Sequence, residues 1–127
     1  MMDDMGIFRI TMALENPLNR GVFRTIDNVM VDTGSEYTWA PASVLADLGL
    51  RAERAARFKT ADGRVIERSI AFANVYVAGT SAPEIVVFAE EGDLTLLGAR
   101  TLEGLNLRID LLNKALVPAG PVPVAAA

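Results

Sequence analysis

Short apolar segments, each interrupted by polar residues and bounded by turn-forming ones, run along most of the chain. The first, 7–14, is followed by ENPLNRG, which is rich in the Asn, Pro and Gly that favour turns. The next segment, 22–31, is rich in apolar and β-branched residues, which are typical of strands. The pattern therefore predicts a β-hairpin whose second strand ends at Asp32.

The middle of the chain continues the strand pattern. The segment 57–72 has two strand-like arms around Asp62-Gly63, a dipeptide that favours tight hairpins because glycine readily adopts positive φ. Further strands are predicted at 69–78 and 84–89. The last of these, EIVVFA, is apolar enough to be buried on both faces of a sheet.

Two short helices interrupt the strands. In 40–50, Pro41 suits a first helical turn, and Gly49 suits the position just past a helix end. The apolar residues between them lie on one face of such a helix. A second short helix is predicted at 99–103, ended by Gly104.

The C-terminal third predicts the remaining strands. Leu96 and Leu97 form a short strand stopped by Gly98, and 107–111 and 115–117 form two strands around a turn. The low-complexity segment 119–127 is predicted to be a flexible tail. We therefore expect a single compact, mainly β domain over 1–118, with one or two short helices.

Composition limits the partners. The 127 residues suffice for one domain, and 51% of them are hydrophobic. The net charge of -4 argues against nucleic acid, and the arginines between 51 and 68 alternate with acids as on a solvated surface. No apolar run is long enough to span a membrane, and the acidic N-terminus is unlike a secretory signal. We expect a cytoplasmic protein.

The chain has no cysteine and no histidine. Disulfides, thiolate nucleophiles and zinc thiolate sites are therefore excluded. Serine and cysteine hydrolases usually need histidine as a general base, so they are disfavoured as well. Any hydrolytic chemistry must run on carboxylates, lysine or tyrosine.

The segment Asp-Thr-Gly-Ser at 32–35 carries such a carboxylate at a strand end. Gly34 allows backbone N–H groups to approach the Asp32 carboxylate, and Thr33 and Ser35 offer hydroxyl groups. One carboxylate does little chemistry by itself. Two facing carboxylates cannot both ionise, so one acts as an acid and the other as a base toward a shared water.

The segment VMVDTGS, 29–35, resembles the signature of aspartic proteases, and LLG at 96–98 resembles their second hydrophobic-hydrophobic-glycine element. The hairpin at Asp62-Gly63 lies where that family carries its flap. A single Asp-Thr-Gly makes the chain similar to the single-domain, retropepsin-like proteases. VDTGSEYTWAPASVLADLGL is especially similar to their bacterial members. The resemblance implies a closed, β-barrel-like acid protease fold with a flap hairpin.

The same resemblance implies an aspartic endopeptidase that is active as a homodimer on peptide or protein substrates, with no metal or organic cofactor. Each subunit would supply one Asp32 to the water-activating pair, Thr33 would bond across the two-fold axis, and Ser35 would brace the outer carboxylate oxygen. The implied catalytic residues are Asp32, Thr33 and Gly34, and the implied substrate-binding residues are Ser35, Ala61, Asp62 and Gly63.

Other interpretations remain open. In one of them, Asp32 has no catalytic role and only caps its own turn. In another, the segment is an aspartyl-phosphate loop, which is disfavoured because no lysine follows the aspartate. The domain would alternatively be a non-catalytic peptide-binding or dimerisation module, or a purely structural β domain. Tyr37 and Trp39 are interpreted as packing aromatics rather than substrate contacts. A bridge between Glu36 and Arg100 is considered, and three aspartates are interpreted as solvated or turn residues: Asp27, Asp93 and Asp110.

Overall fold

The computed structural model describes residues 8–125, which form nine strands and two short helices. The predicted start of the first strand at Ile7 lies outside this range. In chain order, the elements are β1 (Arg9–Glu15), β2 (Phe23–Val31), β3 (Thr38–Pro41), α1 (Ala42–Asp47), β4 (Arg54–Lys59), β5 (Val65–Val77), β6 (Thr80–Ala89), β7 (Leu96–Leu97), α2 (Ala99–Gly104), β8 (Leu107–Asp110) and β9 (Ala115–Pro118).

Seven of the strands form one sheet in the order β1-β2-β7-β3-β6-β5-β4. The strand β1 also pairs with β5, antiparallel, so that six strands close into a ring and only β4 lies outside it. Closing the ring removes most free strand edges. This architecture confirms the expected mainly β, closed, barrel-like fold.

The ring surrounds the hydrophobic core. Fully buried side chains come from several strands and from α1, and they include Met12, Leu14, Val29, Leu45, Val75, Val86 and Leu97. Burying a side chain of this size stabilises a fold by about 1.5–3 kcal/mol. These buried side chains belong to one hydrophobic core cluster.

Several predicted elements are confirmed. The first hairpin, the two-residue strand β7, the helix α2 and the C-terminal strand pair all form close to the expected positions. The prediction that EIVVFA is buried on both faces is confirmed at its centre. Successive residues Val86 and Val87 point to opposite faces, and both are fully buried.

One prediction needs correction. The helix expected to start near Pro41 and to end before Gly49 does form, at Ala42–Asp47, but Pro41 belongs to a strand, Thr38–Pro41, that the sequence pattern did not predict. The strand β3 pairs parallel with β6 and antiparallel with β7. Four residues are too few to display a strand period, and tertiary pairing decides their conformation.

The strand β5 has 13 residues and changes partner along its length. Its C-terminal part pairs with β6 from Ile70 onward, whereas its N-terminal part pairs with β4 alone. Residues 54–70 therefore form a two-stranded extension of the sheet, the β4–β5 hairpin. Its tip confirms the predicted turn: Gly63 has φ of 88°, and its N–H donates to the Thr60 carbonyl at 2.9 Å.

An ion pair ties the base of the β4–β5 hairpin to the loop before β7. Arg68 binds both carboxylate oxygens of Asp93, at 2.7 and 3.0 Å, and the two side chains are only 16% and 14% exposed. The sequence context predicted that Arg68 lies on a solvated surface, and this prediction is wrong for Arg68. Asp93 is a turn residue as expected, but it is half-buried rather than solvated.

The C-terminal strands β8 and β9 form a separate two-stranded sheet. After Pro118 the chain forms no helix or strand within the described range, and the Ala119 N–H donates to the Asn106 carbonyl at 2.9 Å. Flexibility of the tail 119–127 stays a prediction, and its last two residues lie outside the described range. None of the helices in residues 8–125 has the length and apolar character needed to cross a membrane.

Candidate active site

Asp32 directly follows β2 and lies beside β7. The two strands run parallel, with Val31 opposite Leu97, and the Asp32 N–H donates to the Leu97 carbonyl at 3.0 Å. The strand pairing thus continues by one hydrogen bond to the aspartate itself. The sheet therefore holds the Asp32 backbone in place, although the residue lies just past the end of the strand.

The carboxylate of Asp32 is held by the turn that follows it. The Gly34 N–H donates to Oδ1 at 2.9 Å, and the Ser35 N–H donates to the Asp32 carbonyl at 3.2 Å. The close approach expected at Gly34 is therefore present. The Asp32 side chain is half-buried, so it is neither enclosed by the chain nor fully solvated.

The two hydroxyl residues of the turn differ in their contacts. Thr33 is exposed, and its side chain has no hydrogen-bond partner in the described part of the chain. The Ser35 hydroxyl donates to the Tyr37 carbonyl at 3.0 Å. The resemblance implied that Ser35 braces the outer carboxylate oxygen of Asp32. This hydrogen bond instead stabilises the loop that leads into β3.

Gly98 holds the Asp32 loop against α2. A Cβ atom at Gly98 would lie 2.4 Å from the Tyr37 carbonyl oxygen, so only glycine fits there. The Gly98 N–H donates to the Thr38 hydroxyl at 3.0 Å, and this hydroxyl contacts that of Thr101 at 2.6 Å in the interior. The buried pair of threonines satisfies polar groups that would otherwise be costly. Neither threonine was predicted from the sequence to have a role.

Two backbone hydrogen bonds complete this junction. The Ala99 N–H donates to the Ser35 carbonyl at 2.8 Å, and the Arg100 N–H donates to the Glu36 carbonyl at 3.0 Å. Glu36 and Arg100 are thus linked through the main chain. Their side chains form no ion pair within the described residues, so the bridge considered from the sequence is not formed. The first turn of α2 instead satisfies the carbonyls of the Asp32 loop.

The residues predicted at the hairpin tip form a local network. Asp62 accepts hydrogen bonds from Thr60 and Arg64, and the Thr60 hydroxyl followed by Arg64 lowers the pKa of its carboxyl group. Ala61, Asp62 and Gly63 are all exposed. No hydrogen bond in the described range connects this tip with Asp32. A substrate-binding role for the tip therefore stays a prediction.

A cavity of about 400 Å³ adjoins the Asp32 loop. Its walls include three half-buried aromatic residues, and the Phe58 ring lies edge-on to Trp39 at 5.1 Å and to Tyr37 at 5.8 Å between ring centres. We call it the aromatic cavity. Besides these three rings, it is lined by Gly34, Ser35, Glu36, Arg57, Lys59 and Arg100.

This cavity was not predicted from the sequence. Tyr37 and Trp39 do pack, as predicted, but they pack on Phe58 of the β4–β5 hairpin and so form a wall beside the candidate active site. Their positions in the sequence, shortly after Asp32, were the available signal. The partner ring is contributed by a strand that is distant in sequence, and only the fold brings it close.

Comparison with known proteins identifies the family. Residues 25–104 match the family described as "gag-polyprotein putative aspartyl protease". The match covers more than half of the chain, and the chain therefore belongs to this aspartyl protease family. The matched segment includes Asp32, the β4–β5 hairpin and Gly98.

A solved structure agrees with the fold. The solution structure of the Simian Foamy Virus (mac) protease matches with a TM-score of 0.51 at 18% identity, over 76% of this chain and 92% of the viral one. The chain thus has the fold of a retroviral-type protease, and the specific similarity to bacterial members stays a prediction. A search of curated proteins gives no significant sequence match.

Proposed function

We propose that this protein is an aspartic endopeptidase that is active as a homodimer and hydrolyses peptide bonds with a water activated by two Asp32 carboxylates. The observation that carries the proposal is the geometry of Asp32. The sheet fixes its backbone, Gly34 holds one carboxylate oxygen, and the side chain is left only half-buried. One chain therefore supplies a positioned carboxylate but only half of an acid–base pair.

The surroundings of Asp32 support assembly with a second copy. Thr33 next to it is exposed and lacks a partner within the described residues, as expected for a group that bonds across a two-fold axis. In the assembled pair, one carboxyl group would hold the shared proton while the other accepts a proton from the attacking water. Both groups are oxygen acids, so the mechanism needs no histidine or cysteine.

The C-terminal sheet offers a surface for that assembly. Within residues 8–125, the strands β8 and β9 pair only with each other, so each has one edge without a partner in that range, and the turn between them carries Leu111 at 65% and Leu112 at 90% exposure. Exposed strand edges readily pair with another chain. We propose that this sheet contributes to the dimer, a role that would serve a catalytic or a non-catalytic dimer equally.

Mixed dimers test the proposal directly. Wild-type and Asp32→Asn proteins are unfolded, mixed and refolded together at several ratios, and cleavage of a denatured protein substrate is measured. Pure Asp32→Asn protein should lose activity by at least about a thousandfold while remaining dimeric by analytical ultracentrifugation. Because one substituted subunit inactivates a dimer, activity should follow the square of the wild-type fraction.

A linear dependence on the wild-type fraction would show that a single Asp32 suffices and would contradict the shared site. Undiminished cleavage by Asp32→Asn would exclude the carboxylate pair altogether. If the wild type forms dimers but cleaves nothing, a peptide with a central hydroxyl group that imitates the tetrahedral intermediate provides the next measurement. Failure of that peptide to bind would favour the non-catalytic module.

A further inference from the structure

The aromatic cavity indicates which substrates the proposed protease selects. We propose that this cavity binds an acidic side chain of the peptide substrate and that Arg100 is the main contact to its carboxylate. The inference rests on the proposed endopeptidase function and adds a specificity to it. It is carried by the position, the charge and the aromatic walls of the cavity.

The position of the cavity makes it accessible to a bound peptide. It is lined by Gly34 and Ser35, which follow Asp32 by two and three residues, and by Phe58 of the β4–β5 hairpin. A peptide with its scissile bond at Asp32 therefore passes this cavity. A side chain only a few residues from the scissile bond can enter it.

The cavity is cationic although the chain as a whole is acidic. Arg57, Lys59 and Arg100 line it together with a single acidic residue, Glu36, whereas the net charge of the chain is -4. None of the three cations forms an ion pair within residues 8–125. Because the overall charge disfavours anionic peptides, a preference for them would have to arise locally.

Arg100 is the best placed of the three cations. Its backbone N–H is fixed to the Glu36 carbonyl, and its guanidinium carbon lies 5.7 Å from the centre of the Tyr37 ring. A cation–π contact does not use the N–H groups of a guanidinium, which can still bind a carboxylate with two parallel hydrogen bonds. Glu84 also attracts Arg100 electrostatically, but the two do not form an ion pair.

The aromatic walls strengthen this contact and favour glutamate over aspartate. The rings of Tyr37, Trp39 and Phe58 are half-buried, and water is partly excluded beside them. A charge–charge contact is stronger where water is partly excluded. The longer apolar stem of glutamate can pack along the rings while its carboxylate reaches the cation, in the way that amphipathic side chains commonly bind.

Cleavage of a randomised dodecapeptide mixture tests the inference. Cleavage sites are sequenced by mass spectrometry, and glutamate should be enriched at one fixed position relative to the scissile bond. Matched peptides with glutamate or glutamine at that position should differ by about tenfold in kcat/KM, mainly through KM. Equal cleavage of the two peptides would overturn the inference while leaving the proposed endopeptidase intact.

Matched variants identify the responsible cation. Arg100→Gln should reduce the preference for glutamate to less than about twofold, and Arg100→Glu should transfer it to lysine. Arg54→Gln serves as the control, because Arg54 is an exposed arginine of the β4–β5 hairpin that does not line the cavity. Retention of the full preference in Arg100→Gln would contradict the assignment. A stronger preference for phosphoserine than for glutamate would also overturn it.

A binding measurement separates the inference from the proposed activity. The same peptide mixture is passed over immobilised Asp32→Asn protein, and retained peptides are sequenced. Glutamate-rich peptides should be retained, and this retention should be lost in the Asp32→Asn, Arg100→Gln double variant. If wild-type protein cleaves nothing, this selectivity still supports the cavity assignment. Retention that does not depend on acidic residues would overturn it.

Discussion

Two carboxylates at strand ends have opposite surroundings in this chain. Glu15 ends β1 and is 1% exposed, with hydrogen bonds from the Gly21 N–H at 2.7 Å and from Asn74 and Tyr76 at 2.8 Å. Asp32 follows β2, is half-buried and accepts one hydrogen bond at its carboxylate, from Gly34, within the described range.

The difference shows how the two ends of the sheet are used. A buried charge is tolerated only when it is paired and hydrogen-bonded, and Arg20 at 3.0 Å completes that requirement at Glu15. The Glu15 site is therefore closed and structural. At Asp32 the hydrogen-bonding capacity of the carboxylate is only partly used, which leaves it available to water, substrate or a second carboxylate.

The largest expected effect is that of Gly98→Ala, at the Asp32 end. The new Cβ would lie 2.4 Å from the Tyr37 carbonyl oxygen, and backbone cannot yield as a flexible side chain does. Chemical denaturation should show a loss of about 3 kcal/mol or more, together with loss of activity. Gly79→Ala is the control, because its φ of 80° is strained for alanine but its surroundings are open.

The control should cost about 1–2 kcal/mol from backbone strain alone. Equal losses in the two glycine variants would show that the close packing of Gly98 on the Asp32 loop contributes little. The comparison between a crowded and an open glycine thus measures how much the packing of the Asp32 loop contributes to stability.

The next effect compares the two carboxylates in stability. Glu15→Gln keeps the shape of the side chain, but its amide NH₂ faces groups that are themselves donors, such as the Gly21 N–H. Its melting temperature in differential scanning calorimetry should fall by several degrees. Asp32→Asn should change it by much less, because that side chain has few contacts within the chain. Similar losses in both variants would contradict the contrast.

Acid sensitivity provides a further difference. The Gly21 N–H, then Asn74, Tyr76 and Arg20, lower the pKa of Glu15 from its ordinary value of 4.5 to about 2. Because the pKa is lower in the folded protein, the stabilisation by Glu15 is complete above about pH 4.5 and is lost as the pH falls towards 2. Urea unfolding across this range measures the loss.

Glu15→Gln should lose less stability than the wild type on acidification, since glutamine does not titrate. It should retain some loss, because hydrogen bonds also lower the pKa of Asp62, Asp93 and Asp110. Parallel stability curves for the wild type and Glu15→Gln would exclude Glu15 as a source of acid sensitivity.

The smallest effect concerns the β5–β6 turn, which follows Tyr76, a partner of Glu15. Ala78 and Gly79 both have positive φ, 52° and 80°, between the paired residues Val77 and Thr80. Asparagine tolerates this conformation better than alanine, so Ala78→Asn should stabilise the protein by about 0.5–1 kcal/mol in urea unfolding. Destabilisation would show that Ala78 makes a contact that outweighs the strain.

Elements that depend on neighbouring residues were predictable from the sequence, and elements that depend on distant pairing were not. The first hairpin, the β4–β5 hairpin and the C-terminal strands were predicted, because each depends on neighbouring residues and turn chemistry. The strand β3 was not, because its partners β6 and β7 are distant in sequence. Ala78-Gly79 also gave little signal, since alanine is not a usual residue for its conformation.

The candidate site was predicted only in part. Asp32 and Gly34 stand where a local motif placed them, and that motif carries its own hydrogen bond. The partner of the Ser35 hydroxyl, the buried contact of Thr38 with Thr101 and the ring of Phe58 beside Trp39 were not foreseen. The last two contacts join side chains from different elements, which no local sequence pattern links.

The amino-acid sequence alone determined that this chain is mainly β, that its chemistry must run on groups other than histidine and cysteine, and that Asp32 lies at the end of an apolar strand. These properties depend on composition and on short-range backbone preferences. Only the tertiary structure decided that the Glu15 carboxylate is buried while that of Asp32 stays half-exposed, and where a cationic, aromatic-lined cavity forms. Those properties arise because ring closure brings distant side chains together, and no local pattern encodes that proximity.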